Sequence, residues 1–561
     1  MFSACVVIFV VALGVRFLTW QDNRHDIWRV QTAVTDGYKG SARQLLAGDV
    51  KTFVSDINHL GHPPGYSLLL AGAFKVVGES NNAIQVMQIV CDAAAVVILF
   101  LIALKLVAPL AAIIAAFFAA ISPQFAYFSV LLLPDSLSVV PILLAVYFLI
   151  RGRERKRMVN FAIAGALIGV SCWFRANALL LAPFLAACSF LFVERGRRLH
   201  ASAAILAGAL VVIAPITIKN AIVFRRFIPL SLGAGQTLLE GIADYDDAER
   251  FNIPRTDLGI MRQEAEWYRK PEYAQFLFGP EGIERDRQRV KRGLEVIASH
   301  PVWFAGAVAR RGVDSTRLDP VSVVREATVS HDFSRIMNPM WSRREMTRLH
   351  GDHAMYGNQQ TSGVIDVVPG RDYVYLIPVK LVQGRVLVKI TDTSQQTVLA
   401  SAGVDLVEGV TSEDQPIQEL TIPFVTGKRS GVRVVFANHA APNSVVDLGE
   451  SRLVELGPSS FQWLRYLRMP IGFVQRIFKT AWILPLVVIG LALIVRERPW
   501  STMGIILAVP VYYLTVQSLL HTERRYVYVI HFFFLILVGC AIAKPILLLA
   551  RRRDRKLQTA D

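Results

Sequence analysis

Apolar residues along this chain come in blocks of about 15–25 with almost no charge, the length needed to cross a hydrocarbon core of about 30 Å. The pattern predicts ten membrane segments, at residues 2–20, 84–106, 109–128, 136–150, 159–174, 177–193, 202–222, 474–495, 499–519 and 526–549. A further apolar run at 65–78 is short and follows Pro63-Pro64, so it reads as a helix lying at the membrane surface. Between Arg225 and Arg468 no such block occurs and the composition returns to that of a soluble protein. That insert has two textures. Residues 225–354 read as mainly helical, with charged stretches such as Glu281–Leu294 and an interfacial helix at Pro301–Arg311. Residues 355–458 alternate apolar and polar positions in Tyr373–Pro378, Arg385–Ile390, Leu420–Phe424 and Val432–Phe436, with turns between, which predicts a β-sandwich or jelly roll.

Basic clusters orient the segments. With the N-terminus inside, the positive-inside rule places Arg151–Arg157, Glu194–His200, Arg496–Arg498 and the tail from Arg551 in the cytoplasm. Counting 65–78 as a span would move the first two clusters outside. The first segment lacks a basic leader and an A-x-A site, and reads as an anchor. The organisation expected is therefore a transmembrane module at 1–224 with its first outer loop at 21–83, a helical outer region at 225–354, a β-sandwich-like outer domain at 355–458, and C-terminal helices with a basic tail at 465–561. The fold class is an α-helical polytopic membrane protein with a large insert on the non-cytoplasmic side.

Composition agrees with this division: 53% of the 561 residues are hydrophobic and only 19% charged, against roughly 25% charge in soluble domains. The net charge of +16 resides in clusters beside apolar blocks and comes with no nucleic-acid motif, so no nucleic-acid partner is expected. The five cysteines, Cys5, Cys91, Cys172, Cys188 and Cys540, all fall in apolar blocks, with no metal-ligand spacing, and read as small buried hydrophobes.

Unusual polar residues collect on one side of this topology. Asp22, Asp26 and Asp36 follow the first span. His62 precedes the surface helix, and Asp135 lies in the outer loop between the third and fourth spans. Arg175 links the fifth and sixth, Lys219 ends the seventh, and Glu523-Arg524-Arg525-Tyr526 opens the tenth. Singly, each reads as a solvated flank or a snorkelling side chain. Together they outline a polar cavity where acids serve as a general base and arginines bind a phosphate and stabilise a leaving anion. Gly233–Thr237 lacks the spacing of any nucleotide loop, and Tyr245-Asp246-Asp247 reads as a solvated loop.

These elements, in this order, resemble the bacterial multi-pass glycosyltransferases of the C-type fold, the group that includes the lipid A aminoarabinose transferase and the protein O-mannosyltransferases. The resemblance rests on the helix ending Ala42–Asp49, the turn His62-Pro63-Pro64-Gly65-Tyr66, Pro134-Asp135-Ser136-Leu137, Phe174-Arg175-Ala176-Asn177, Pro215–Pro229 and Glu523–Tyr526, across residues 1–240 and 465–549. It implies transfer of a sugar from a polyprenyl-phosphate donor to a cell-envelope acceptor at the outer face of the cytoplasmic membrane, with inversion. A first-loop carboxylate would act on the acceptor, and Arg175, Arg525 and Arg524 would hold the carrier phosphate, with Tyr526 and Lys219 beside them. The family's catalytic acid corresponds to a position near Ala33 or Val34, which are not acids. Asp36 is nearest by helical register, Asp22 by distance from the first span, and Asp26 lies between. Asp135 takes a supporting role, fixing the acceptor, a divalent cation or a basic partner. His62 either reaches the substrate or is a structural turn residue. No cofactor is singled out, a divalent cation stays open, and no residues are assigned as metal ligands. A flippase of lipid-linked sugars would instead place polar groups near the bilayer midplane in repeated halves. A glycan-binding scaffold anchored by the membrane part would leave the outer acids and arginines without a role.

Overall fold

The structure, a computed structural model, describes residues 1–23, 33–279, 281–318, 346–406, 411–412, 415–449, 451–458, 464–521 and 523–558. The chain divides into two compact units, one of residues 1–17, 31–323 and 474–561, the other of 18–30 and 324–473.

The first unit is helical. Among the described residues, seven helices are long and apolar enough to cross a membrane: Phe2–Gln21, Asn81–Leu106, Asp135–Arg155, Arg195–Phe224, Thr480–Glu497, Trp500–Leu519 and Val529–Ala550. The protein is thus a multi-pass membrane protein. The segment expected as one span at 109–128 is instead a broken pair, Pro109–Ile121 and Pro123–Val130, bent by 50°. Pro123 explains the break: it lacks the N–H that would continue the ladder and suits the first turn of a new helix. Met158–Phe174 and Ala176–Phe192 are shorter apolar helices. So is Gly65–Val77, which at about 1.5 Å per residue reaches about 20 Å, too short for a straight crossing.

A charged pair lies inside the apolar helices. Arg16 and Asp92 are fully buried and bonded at 2.5 Å, and Arg16 also donates to the Ala12 and Ala120 carbonyls. An ion inside hydrocarbon is costly unless paired and hydrogen-bonded, and this pair ties the Phe2–Asn23 helix to Asn81–Leu106.

The insert's helical part comprises Ala234–Ala243, Asp257–Tyr268, Gly282–Ser299 and Pro301–Ser315. Thr256 caps the second, accepting from the Gly259 N–H. Glu264 is buried between two arginines, accepting from Arg285 at 2.8 Å and from Arg289 at 2.6 and 2.7 Å. Two expectations need correction. Arg311, the basic end of the run read as interfacial, is buried and donates to the Ser518 and Gly241 carbonyls. In the run read as a solvated loop, Asp246 is buried, and the Tyr245 hydroxyl donates to Asp314 at 2.7 Å. In both cases a polar group in the fold satisfies a side chain whose sequence context resembles a surface.

Among the described residues, the second unit contains ten strands in two antiparallel sheets: β1 (Thr347–His350), β2 (Asn358–Thr361), β3 (Ile365–Asp366), β4 (Arg371–Gln383), β5 (Val386–Asp392), β6 (Val398–Val404), β7 (Gln418–Val425), β8 (Gly431–Asn438), β9 (Val445–Leu448) and β10 (Arg452–Pro458). One sheet runs β1-β9-β4-β10 with β7 also on β4; the other runs β2-β8-β5-β6 with β3 also on β8. Alternate residues of a strand face one side. Tyr373, Tyr375, Ile377 and Val379 of β4 therefore share a core with Val386, Val388 and Ile390 of β5 and Val432, Val434 and Phe436 of β8. This is the sandwich expected from the alternation, with its first strand starting eight residues before 355.

Candidate active site

A helical hairpin builds the centre of the site. Asp135–Arg155 and Met158–Phe174 are joined by a two-residue turn in which Lys156 has a positive φ of 55°. They run antiparallel, so the N-terminus of the first meets the C-terminus of the second. Asp135 opens the first helix and Arg175 caps the second, each where the helix dipole favours its charge. They form an ion pair at 2.6 Å, with Asp135 2% and Arg175 12% exposed. Of the roles open to Asp135 from the sequence, an acceptor, a metal or a basic partner, the structure shows a basic partner, Arg175.

Arg175 also stacks on the Tyr526 ring, 4.9 Å from its centroid, and Arg525 lies 5.2 Å from the same centroid. Arg525 is held by Glu523 in turn. Both guanidinium groups therefore share one ring, and each is anchored through Nη2 to a carboxylate. The Nε of each makes no hydrogen bond among the described residues, nor does Asp135 Oδ1. Asn177 locks the two chain segments together, donating to the Tyr526 carbonyl at 3.0 Å while its own carbonyl accepts from Tyr512 at 2.7 Å.

Two more side chains close the cluster. His62 follows a 3-10 turn at Ile57–Leu60, and the turn after it presses Gly65 against the Trp173 carbonyl. A Cβ at Gly65 would overlap that carbonyl, which is why this turn can sit beside the helix end carrying Arg175. Tyr38, from the helix Ala33–Leu46, packs on His62 with ring centroids 5.6 Å apart and edge-on against Tyr66 at 5.1 Å. Burial, with the charges of Arg175 and Arg525 nearby, pushes His62 down to about 4, so it is neutral at physiological pH. Burial raises Tyr38 to about 12, so its hydroxyl keeps its proton. That hydroxyl has no partner among the described residues. Nothing in the sequence marked Tyr38; only its place on the buried face of an amphipathic helix distinguishes it.

The backbone behind Asp135 is fixed by side chains. Gln85 donates to the Val130 carbonyl at 2.7 Å, Gln88 to that of Leu131 at 2.6 Å, and Thr35 to that of Leu132 at 3.0 Å. Tyr66 completes the chain by donating to Gln88 at 2.9 Å.

The other candidates lie elsewhere. Arg524 diverges from its neighbour Arg525 and lines a cavity of about 250 Å3 with Asp244, Tyr245, Arg311, Asp314 and Ser315. Lys219 is within electrostatic reach of Asp56, which favours its charge, and of His59, whose protonation it opposes. Asp36 is exposed on the flank of its helix, where its charge acts on Lys39 and Arg43. Asp22 lies in the last turn of the Phe2–Asn23 helix, its side chain outside the described residues, as is the whole of Asp26. Among the described residues, no group of three or more His, Cys, Asp or Glu converges on a metal-sized site.

Known proteins add one assignment. Residues 61–218 match the family described as dolichyl-phosphate-mannose-protein mannosyltransferase. That segment carries His62, Asp135 and Arg175, and the likeness to membrane glycosyltransferases of the C-type fold read from the sequence is borne out there. Two solved structures are similar over the whole chain at 11% identity. They are an oligosaccharyltransferase of Archaeoglobus fulgidus in the apo form, TM-score 0.43, and the archaeal oligosaccharyltransferase AglB of the same organism with an inhibitory peptide and a dolichol-phosphate, TM-score 0.42. The chain spans 52% of the length of each. No curated protein matches the chain.

Proposed function

We propose that this chain is a membrane glycosyltransferase that moves a sugar from a polyprenyl-phosphate donor to a cell-envelope acceptor at the outer, periplasmic face of the cytoplasmic membrane. The observation that carries this is the pair of guanidinium groups, Arg175 and Arg525, set on one Tyr526 ring at 4.9 and 5.2 Å with an unpaired Nε each. Two fixed cations beside an apolar bundle suit a phosphate whose lipid tail stays in the bilayer. The match of residues 61–218 supports the same class of donor.

In this reading the acceptor hydroxyl attacks the anomeric carbon from the face opposite the phosphate. An acceptor O–C1 bond forms, the C1–O bond to phosphate breaks, and the electron pair leaves with polyprenyl phosphate. The acceptor proton passes to a carboxylate of the first outer loop. Arg175 and Arg525 meet the negative charge that grows on the leaving oxygen, and preorganised charges of this kind act mainly on the transition state. Neutral His62 and the protonated Tyr38 hydroxyl offer hydrogen bonds to sugar hydroxyls without adding charge. Asp135 is a positioning residue that holds the Arg175 plane against Tyr526. We assign the base to Asp36, which is solvent-facing two residues before Tyr38, with Asp22 and Asp26 as the alternatives.

The test is transfer of label from polyprenyl-phosphate sugars to envelope acceptors in proteoliposomes, comparing wild type with Asp36→Asn, Asp22→Asn and Asp26→Asn. Loss in Asp36→Asn alone fits the assignment, and loss in another variant moves the base there. Absence of transfer by wild type across donors, with labelled donor crossing the bilayer instead, would replace the enzyme by a flippase.

A further inference from the structure

Away from the Arg175 centre, the helices Asp257–Tyr268 and Gly282–Ser299 frame a cleft of about 300 Å3. Trp267 and Tyr268 line it while 54% and 49% exposed. Large aromatics are usually covered in a folded protein, and an exposed one beside convergent polar groups marks a contact surface. The sequence gives no reason for the pair, since position 267 begins no apolar block.

These rings are held in place before any ligand arrives. The Arg292 guanidinium lies 4.6 Å from the Trp267 ring centroid and is itself fixed by the Gln263 side chain at 2.8 Å and the Asn252 carbonyl at 2.7 Å. Tyr268 meets the Tyr273 ring edge-on at 5.7 Å. Arg289, only 2% exposed, also lines the cleft, clamped on Glu264, with its Nη1 unpaired among the described residues. Gln288, which donates to Glu284 at 3.3 Å, and Glu295, 4.0 Å from the lining residue Lys291, add an amide and a carboxylate.

We propose that this cleft is a saccharide-binding site, distinct from the transfer centre. A pyranose ring is amphipathic: one face presents C–H groups and its edge presents hydroxyls. A rigid Trp platform takes the face. An amide and a carboxylate take hydroxyls, which each offer both a donor and an acceptor, above the fixed Arg289–Glu264 clamp. An acyl chain would gain nothing from Gln288, Glu295 and Arg289, so the lining favours sugar over lipid. The helix Ala234–Ala243 contributes Leu239 to the cleft, and its Thr237 carbonyl accepts from the His521 N–H of the loop leading to Arg525. Glycan held here therefore sits on an element that also supports the transfer centre.

Calorimetry on the full chain in lipid nanodiscs tests this with mannotriose, maltotriose and chitotriose as probes and no donor present. The expectation is that at least one binds, that Trp267→Ala weakens it about tenfold or more, and that Gln288→Ala weakens it while Trp500→Ala does not. No heat with any probe, or equal binding by Trp267→Ala and Gln288→Ala, overturns the site. So does brominated lipid quenching wild type more than Trp267→Phe, which would make Trp267 a membrane anchor. Because binding is read without donor, its failure is separable from failure of sugar transfer.

Discussion

Asp135 and Arg175 open and close the two helices of one hairpin and meet at 2.6 Å. Antiparallel packing puts the N-terminus of the 21-residue helix and the C-terminus of the 17-residue helix at the same end of the hairpin. Each charge suits its helix end, and each is largely buried, so losing one partner leaves the other uncompensated.

The first prediction concerns this pair. Arg175→Ala should lower transfer about 100-fold or more, the scale seen when one preorganised donor is removed from an active site. Arg175→Lys should recover little, because an ammonium cannot bond Asp135 and stack flat on Tyr526 together. Asp135→Asn, which removes the charge but leaves an amide oxygen to accept from Arg175, should lower kcat more than it raises KM, with earlier thermal unfolding. Wild-type rates in Arg175→Lys would contradict the role.

Neighbouring arginines should behave differently. Arg525 shares the Tyr526 ring with Arg175, whereas Arg524 lines the cavity with Asp244 and Arg311. Arg525→Ala should cost about 100-fold in transfer, and Arg524→Ala within about threefold, a change of under 1 kcal/mol. Equal losses would show that both arginines contact the leaving phosphate.

The loop that carries Arg525 is clasped by titrating groups. Burial raises Glu240 from 4.5 to about 7, against the Gln236 hydrogen bond and His521 charge, with Asp257 and Asp244 adding to the rise. His521 is raised chiefly by its hydrogen bond to Asp244, with burial opposing and the charges of Asp244, Glu240 and Glu523 assisting. Both folded values exceed the unfolded ones, so the folded state binds more protons and stability falls as pH rises. The Glu240 share is lost from about pH 4.5 to about pH 7 and the His521 share above about pH 6.5. The melting temperature should therefore be higher near pH 5.5 than near pH 8.5, roughly, and Glu240→Gln should flatten the difference. A wild-type profile that rises with pH would be contrary.

Helix packing beside the hairpin rests on two glycines. Gly165 faces the Ile205 carbonyl and Gly208 faces that of Ala162, each too close for a Cβ. Small residues let membrane helices approach in this way. Gly165→Val or Gly208→Val should destabilise the protein by about 1–3 kcal/mol, read as earlier thermal unfolding in detergent. Gly72→Val, with open space around the site, should not.

The membrane elements and most of the site were legible because each sits where an apolar block stops. His62, Asp135, Arg175, Arg525 and Tyr526 are such positions, and one topology brings them to one side. Apolar length announced a span at 109–128 but not its bend, which depends on Pro123 being the first residue of a new helix. Tyr38 was hidden because an aromatic on an amphipathic helix looks the same whether it packs or binds. Arg311 looked interfacial because its partners, Gly241 and Ser518, are carbonyls, and carbonyls leave no trace in side-chain chemistry. The Arg16–Asp92 pair has a sequence signal of its own, single opposite charges in two apolar blocks.

The most direct test of the account is transfer from a labelled polyprenyl-phosphate sugar by wild type and by the double variant Arg175→Ala/Arg525→Ala, with released polyprenyl phosphate measured in the same reaction. The account predicts that wild type yields labelled acceptor and polyprenyl phosphate in equal amounts, and that the folded double variant yields neither. Transfer retained by the double variant, or donor consumed without an acceptor product, would contradict it.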